Sequence, residues 1–140
     1  MDVNKYNILK NKFDKICYIK EYNNYGNICV NVSKIVIKNL KKVFDDFLDY
    51  INYICIEAIN ISYKYNNTHY CTHIYLDGAT MKNFSLKLFK KVIKVLEADD
   101  VDRLHSCYIY NKNKLITKTI NAMKLLINPY TRKKILIVNK

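Results

Sequence analysis

The sequence predicts an α/β domain with a mostly parallel sheet of about five strands and helices packed on it. The chain has 140 residues and 50% of them are hydrophobic, which suits one domain with a substantial core. From residue 40 onward, helical and strand patterns alternate. This alternation predicts parallel strands, because a parallel pair needs a long crossover that a helix provides. A turn-rich segment before residue 33 predicts that the sheet opens with an antiparallel hairpin.

The N-terminal quarter of the chain predicts a lead-in segment and this hairpin. Residues 1–14 are polar with isolated apolar positions, so we expect a frayed or short helical lead-in before a single domain over 15–140. Asn and Gly tolerate a positive φ, and their positions place the hairpin turn. The predicted order is a strand over 16–19, a turn over 22–27, a strand over 28–32 and an extension of that strand over 34–37.

The remaining elements follow from periodicity and from helix start and stop signals. A broad apolar face at helical spacing predicts one helix over 39–60. Asn83 or Ser85 can cap the next helix, and Asn128-Pro129 ends the last one because proline cannot continue a helix. The other predicted elements are a strand over 70–76, a helix over 84–97, a strand over 104–110, a helix over 114–127, a turn over 131–134 and a strand over 135–138.

The excess of basic residues is explained by coding bias. The formal net charge is +12, yet Lys, Ile, Asn and Tyr together make up 72 of the 140 residues. These residues share A/T-rich codons, so we expect an AT-rich genome such as that of a large DNA virus or a protist. Coding bias then explains scattered lysines, and arginine, the better fork for phosphate and base edges, occurs only twice. We therefore do not expect nucleic acid as a partner.

The same survey predicts a cytoplasmic protein. No apolar run approaches the roughly 18 residues that a membrane-spanning helix needs, and the N-terminus lacks the apolar stretch of a signal peptide. Five widely spaced cysteines without a C-x-x-C motif predict reduced thiols. We expect an intracellular chain that is at most peripherally attached to a membrane.

Four ordered motifs together resemble a known family. They are Asn23-x-x-Gly26 in the hairpin, the strand from His73 to Asp77-Gly78, the strand from Leu104 to Asn111, and the turn from Asn128-Pro129 to Ile135. In this order they resemble the CRAL-TRIO lipid-binding family over residues 15–140. The resemblance implies a non-catalytic module without cofactors that binds a phospholipid or another hydrophobic ligand.

The resemblance also implies a head-group site. In the phosphatidylinositol-transfer members of the family, an acidic-Arg pair precedes the strand that ends in Asn, and Asp102-Arg103 match it. The Thr and Lys of the following turn match Thr131 and Lys134. Arginine offers a fork for phosphate, lysine a point charge and threonine a hydroxyl. The alternative is that Arg103 pairs at the surface with an acidic neighbour, namely Asp99, Asp100 or Asp102.

Two further residue groups complete the predicted lipid-binding surface. A hydrophobic groove between sheet and helices is expected near Phe84, Leu88, Ile120 and Met123. A basic stripe on the helix over 84–97 is expected to face solvent or an anionic membrane. The stripe consists of Lys87, Lys90, Lys91 and Lys94.

The sequence leaves a second function open. It resembles a short, divergent form of the domain, without the family's N-terminal helical lobe and C-terminal gate. The groove could then be filled by the protein's own side chains. In that case the domain would serve as a protein-interaction or virion-structural module, with a protein partner or as a homo-oligomer.

Metal-binding and catalytic patterns are weak. His69, Cys71 and His73 alternate along one strand, but their spacing is not that of a structural zinc site. Cys107 could pair with His73, or with His105 on the same strand face, as a nucleophile and base. No glycine-rich phosphate loop or nucleophile-elbow motif is present. We therefore expect no metal site and no enzymatic activity.

Overall fold

The sheet has five strands in the order β1-β2-β3-β4-β5, as seen in a computed structural model that describes residues 2–98, 102–111 and 116–138. The first pair of strands is antiparallel and the other pairs are parallel. The predicted fold class is confirmed. The strands are β1 (Cys17–Tyr22), β2 (Tyr25–Asn31), β3 (Tyr70–Tyr75), β4 (Leu104–Tyr110) and β5 (Ile135–Val138).

Six α-helices connect or precede these strands in the described parts of the chain. They are α1 (Val3–Phe13), α2 (Ile37–Lys42), α3 (Phe44–Tyr63), α4 (Leu86–Leu96), α5 (Thr117–Lys124) and α6 (Pro129–Arg132). Two short 3-10 helices, Val32–Lys34 and Met81–Asn83, lie before α2 and α4. No helix among the described residues is long and apolar enough to cross a membrane.

The hairpin between β1 and β2 is tighter than the sequence indicated. Tyr22 pairs with Tyr25, so only Asn23 and Asn24 form the turn, with φ values of 52° and 68°. Two consecutive positive φ angles match the two-residue turn that suits the twist of a hairpin. The predicted turn over 22–27 was too long, because Gly26 lies inside β2. A Cβ on Gly26 would lie 2.1 Å from the carbonyl oxygen of Ala58 in α3, so this glycine permits a close helix–strand contact.

The segment after β2 differs from the prediction. Residues 34–37 do not extend the strand, since the chain turns through the 3-10 helix and begins α2 at Ile37. The helix predicted over 39–60 is instead two helices that meet at Val43, where φ is −126° and ψ is 27°. The break changes the chain direction between the buried residues Leu40 and Phe44.

The lead-in segment contributes to the core. Asp2 caps α1 by accepting from the Lys5 backbone N–H, and Tyr6, Leu9 and Phe13 are buried. The Phe13 ring contacts the ring of Phe47 in α3 edge-on, with centroids 5.3 Å apart. The helix therefore packs on α3 and is not a frayed end.

The C-terminal elements begin and end at specific side-chain contacts. Ser85 caps α4 by accepting from the Leu88 N–H at 3.3 Å, as predicted. The α5 helix ends at Lys124, and residues 114–115 of the helix predicted over 114–127 lie outside the described residues. Of the predicted turn over 131–134, residues 131–132 belong to the short helix α6 and residues 133–134 form a turn. Its N-cap is Asn128, whose side chain accepts from the Thr131 N–H.

Candidate functional site

A large cavity lies between the sheet and the helices. Its volume is about 790 Å³, within the range of about 300–1,000 Å³ that is usual for ligand sites. Apolar side chains of β2, β3 and β4 form its floor, and those of α3, α4 and α5 form its walls. Representative floor residues are Ile28, Val30, Ile74 and Ile109, and representative wall residues are Phe47, Ile51, Val92 and Ile120.

The four residues of the predicted hydrophobic groove all line this cavity. Leu88 and Ile120 are buried, while Phe84 and Met123 are half-buried. Helical spacing places Phe84 and Leu88 near the start of α4 and Ile120 and Met123 along α5. That a ligand touches them remains a prediction.

The four predicted head-group residues line the same cavity, at one polar end. Asp102 and Arg103 directly precede β4, and Lys134 directly precedes β5. Because β4 and β5 are parallel neighbours, the residues before each strand meet at the same edge of the sheet. Thr131 lies in α6, just before this edge.

Hydrogen bonds fix Lys134 at this end. Its Nζ donates to Asp102 Oδ2 at 2.8 Å and to the Leu104 carbonyl oxygen at 2.6 Å. Burial would raise the pKa of the Asp102 carboxyl, but the bonds from Lys134 and from the Leu104 N–H outweigh it and lower the pKa. Asp102 is therefore a carboxylate at neutral pH and holds the lysine in place.

Arg103 is held differently. Its Nη1 donates to the carbonyl oxygen of Thr68 at 3.3 Å. The surface pairing with Asp102 is not formed, because Asp102 binds Lys134 instead. Asp99 and Asp100 lie outside the described residues. The planar guanidinium carries five N–H donors, and within residues 2–98, 102–111 and 116–138 the bond to Thr68 uses one of them.

The polar end also contains residues that the sequence did not single out. Glu97 Oε1 accepts from the backbone N–H and the side-chain amide of Asn128, at 3.1 and 3.3 Å. Arg132 donates to the carbonyls of Lys124 and Ile127 at the end of α5. Together these bonds join α4, α5 and α6 around the cavity. Asn128-Pro129 indicates a helix stop in the sequence, which predicts neither the helix start of α6 nor the long-range partner Glu97.

A family model described as the CRAL/TRIO domain matches residues 12–140, nearly the whole chain. The chain belongs to the CRAL-TRIO family. The family resemblance of the sequence motifs is thereby confirmed. Proteins of this family bind lipids or small hydrophobic ligands.

The crystal structure of Sfh5 has a similar fold. It superposes with a TM-score of 0.73 at 15% sequence identity and covers 97% of this chain. The match covers 54% of the Sfh5 chain, so this CRAL-TRIO domain spans about half the length of that protein. At this identity the likeness concerns the fold. The comparison with curated proteins found no match.

The predicted basic stripe of the CRAL-TRIO domain lies on α4. Lys87, Lys90, Lys91 and Lys94 are all exposed. Lys91 Nζ lies 5.8 Å from the centre of the Phe44 ring, so part of this side chain covers the helix junction. Contact between the stripe and a membrane remains a prediction.

The sheet separates the candidate nucleophile from its candidate bases. Tyr70 pairs with Leu104 but Cys71 pairs with Ser106, so β4 contains a bulge at His105. The bulge changes the expected alternation of faces. Cys107 lines the cavity, as do Tyr70 and Thr72 of β3. His105 contacts Cys71, which lies between those two residues and therefore on the opposite face of the sheet. The prediction that His105 and Cys107 share a face was therefore wrong. Burial raises the pKa of the Cys107 thiol to about 11, which disfavours a reactive thiolate.

The histidine-cysteine pattern of β3 is accounted for by ordinary contacts. His73 Nε2 bonds Asn27 Oδ1 at 2.9 Å, and His73 Nδ1 bonds the Tyr110 hydroxyl at 2.8 Å. His69 Nδ1 lies 2.9 Å from the Thr68 hydroxyl. Among the described residues, no group of three His, Cys, Asp or Glu side chains is placed to hold a metal ion.

Proposed function

We propose that this domain holds a phospholipid or another amphiphile in the cavity, with the apolar chain along the sheet and the head group at the polar end. The observation that carries the proposal is the single cavity of about 790 Å³ that the predicted groove and head-group residues line together. Its long apolar part and one polar end match the shape of an amphiphile. Burial of about ten methylenes would contribute about 8 kcal/mol before the costs of binding.

The polar end can bind an anionic head group without rearranging its own ion pair. A lysine ammonium has three N–H donors, of which Asp102 and Leu104 occupy two. The third donor of Lys134 and the unused donors of Arg103 are then available to a phosphate. In this arrangement Asp102 is a positioning residue, and Thr131 adds a hydroxyl.

We also propose that the module acts without catalysis, at or near a membrane surface. Burial raises the pKa of the thiols of Cys17, Cys29 and Cys107, so they are poor nucleophiles at neutral pH. The four exposed lysines of α4 can approach anionic lipids, with at most about 1 kcal/mol from each. The alternative in which the protein's own side chains fill the groove leaves this cavity unexplained.

Native mass spectrometry followed by organic extraction of the purified chain tests the lipid proposal. We expect one lipid per chain. Met123→Trp, which fills the cavity, should reduce the lipid-bound fraction at least about tenfold, whereas Met81→Trp, at a residue 57% exposed, should not. Lys134→Ala and Arg103→Ala should lower retention of an anionic lipid, with Lys133→Ala as the matched exposed control. An empty chain that takes up no lipid from mixed vesicles would contradict the proposal.

A further inference from the structure

The side of the sheet opposite the cavity forms a second organised surface. The strand pairing places its residues in rows across the strands, and one row crosses all five. That row is Tyr18, Cys29, His73, Tyr108 and Leu136. The flanking rows are Lys20, Asn27, Cys71 and Ser106 on one side, and Asn31, Tyr75, Tyr110 and Val138 on the other. We call these three rows, with the neighbouring pair Tyr22 and Tyr25, the tyrosine face.

The larger side chains of the tyrosine face reach solvent, while the small residues between them, Asn27, Cys29, Cys71 and Ser106, are buried. The contacts that seat α3 on the sheet lie on the cavity side, where Gly26 meets Ala58 and the Tyr50 hydroxyl donates to the Cys17 carbonyl. On the tyrosine face, Tyr22 is 57% exposed and Leu136 is 49% exposed. Tyrosines at five further positions are half-buried and reach solvent at their rims.

The composition of this face is that of a protein interface. The chain carries 24 basic and 12 acidic side chains, yet Lys20 is the one charged residue of the face as defined. Interface centres are depleted in charged residues and enriched in tyrosine. The lysine stripe of α4 lies on the other side of the sheet.

The rings are ordered in a way that suits a protein partner better than a nucleic acid. Tyr75 and Tyr110 stack across the strands with centroids 4.9 Å apart and planes 8° apart, and His73 stacks on Tyr108 at 5.2 Å. This spacing matches the roughly 4.8 Å between strands, so ring faces meet each other and ring edges point outward. Bases need exposed ring faces to stack on. Rings that are fixed by stacking and by bonds within the face, such as that of the Tyr110 hydroxyl with His73, instead offer a rigid, low-entropy contact surface.

We propose that a second copy of this chain covers the tyrosine face, in a two-fold dimer with the sheets packed face to face. Five strands of about six residues span an area of roughly 24 by 20 Å, or about 1,000 Å² for two copies, which is at the lower limit for a specific interface and fits a reversible dimer. A two-fold axis near the central strand β3 keeps the two Lys20 side chains at opposite edges. It also turns both lysine stripes outward, which limits repulsion between two chains of charge +12. Both cavities stay open.

Sedimentation equilibrium of the full chain over a range of concentrations tests the dimer. We expect a monomer–dimer equilibrium whose dissociation constant rises at least about tenfold in Leu136→Lys and in Tyr22→Lys, because each places a lysine in the apolar contact. Ile8→Lys, at a residue of α1 that is 60% exposed, is the matched control and should dimerise like the parent. Far-UV circular dichroism checks that each variant is folded.

Three outcomes would overturn the proposal. They are a parent chain that is monomeric at every concentration, a dimer that both lysine variants leave unchanged, and a monomer that binds single-stranded nucleic acid through Tyr22 and Leu136. Arg103→Ala should leave dimerisation unchanged. The dimer and the lipid site can thus fail independently.

Discussion

The two faces of the sheet are built from the same strands but differ in how their side chains pack. On the cavity side, β3 presents Thr72 and Ile74 beside an open apolar volume. On the other side, Cys71, His73 and Tyr75 contact their neighbours through hydrogen bonds and stacked rings. The cavity side thus leaves space for a ligand, while the side chains of the tyrosine face contact one another across the strands. We conclude that substitutions on the cavity side act through helix packing, whereas those on the tyrosine face act through polar contacts.

The largest expected effect is on the helix packing of the cavity side. Gly26→Ala places a methyl group against the Ala58 backbone, where the distance would be 2.1 Å, so α3 must move off β2. We expect a loss of unfolding free energy of about 3 kcal/mol or more. Urea denaturation measures it. Gly78→Ala is the control: its φ of 75° is unfavourable to alanine but the space is open, so it should cost only about 1 kcal/mol.

The next effect concerns the polar contacts of the tyrosine face. Asn27 is 4% exposed, and its amide donates to the carbonyls of Lys20, Tyr22 and Tyr25 while its oxygen accepts from His73. Asn27→Ala should cost about 2 kcal/mol, since it leaves several groups without a partner. Asn24→Gly, in the exposed turn, is the control. An unchanged urea midpoint for Asn27→Ala would show that water replaces these bonds.

A smaller effect is expected for one buried hydroxyl on the cavity side. Tyr50 is 1% exposed, and its hydroxyl donates to the Cys17 carbonyl at 2.6 Å. Tyr50→Phe keeps the ring and leaves that carbonyl without its donor, so we expect a loss of about 1 to 2 kcal/mol. Tyr63→Phe, at an exposed ring of the same helix, should be neutral. Equal melting temperatures of the two variants would contradict the role of this bond.

The smallest effect is a pH dependence from His73. Burial lowers the pKa of its ring, and the nearby Lys20 adds to this. The ring is therefore neutral in the fold, and the unfolded chain binds the proton more readily. Stability should decline as pH falls below the ordinary histidine value of 6.5. His73→Gln should reduce the pH dependence of the urea midpoint between about pH 6.5 and 5; Glu57, whose pKa burial raises, acts in the opposite direction and is common to both chains. A dependence that survives in His73→Gln would assign it to another group.

Elements with strong local signals could be predicted from the sequence. The bounds of β4 and β5 agree with the predicted strands over 104–110 and 135–138, because apolar runs there are flanked by polar turn residues. The capping serine of α4 was predicted for the same reason. The break at Val43 could not be predicted, since the apolar period continues across it and no glycine or proline marks it.

The candidate site also has features that could be predicted from the sequence and features that could not. That residues before β4 and β5 meet at one edge follows from parallel pairing. Asp102 pairs with Lys134 and not with Arg103. Which of the two side chains reaches the carboxylate depends on the folded geometry, so the sequence alone could not predict it. The bulge at His105 likewise has no sequence signal, because no glycine or proline marks it.

The bulge at His105 determines where the length of β4 can change. Because β4 contains one extra residue at His105, Leu104 lies on the same side of the sheet as Cys107 and Ile109. Deleting the extra residue would give a regular strand with the same pairing on either side, so Leu104 and Cys107 would both still face the cavity, whereas a one-residue deletion elsewhere in β4 would turn part of the strand over. We therefore expect homologous chains to lack the extra residue at His105 in some cases, and to keep the residue count in the rest of β4.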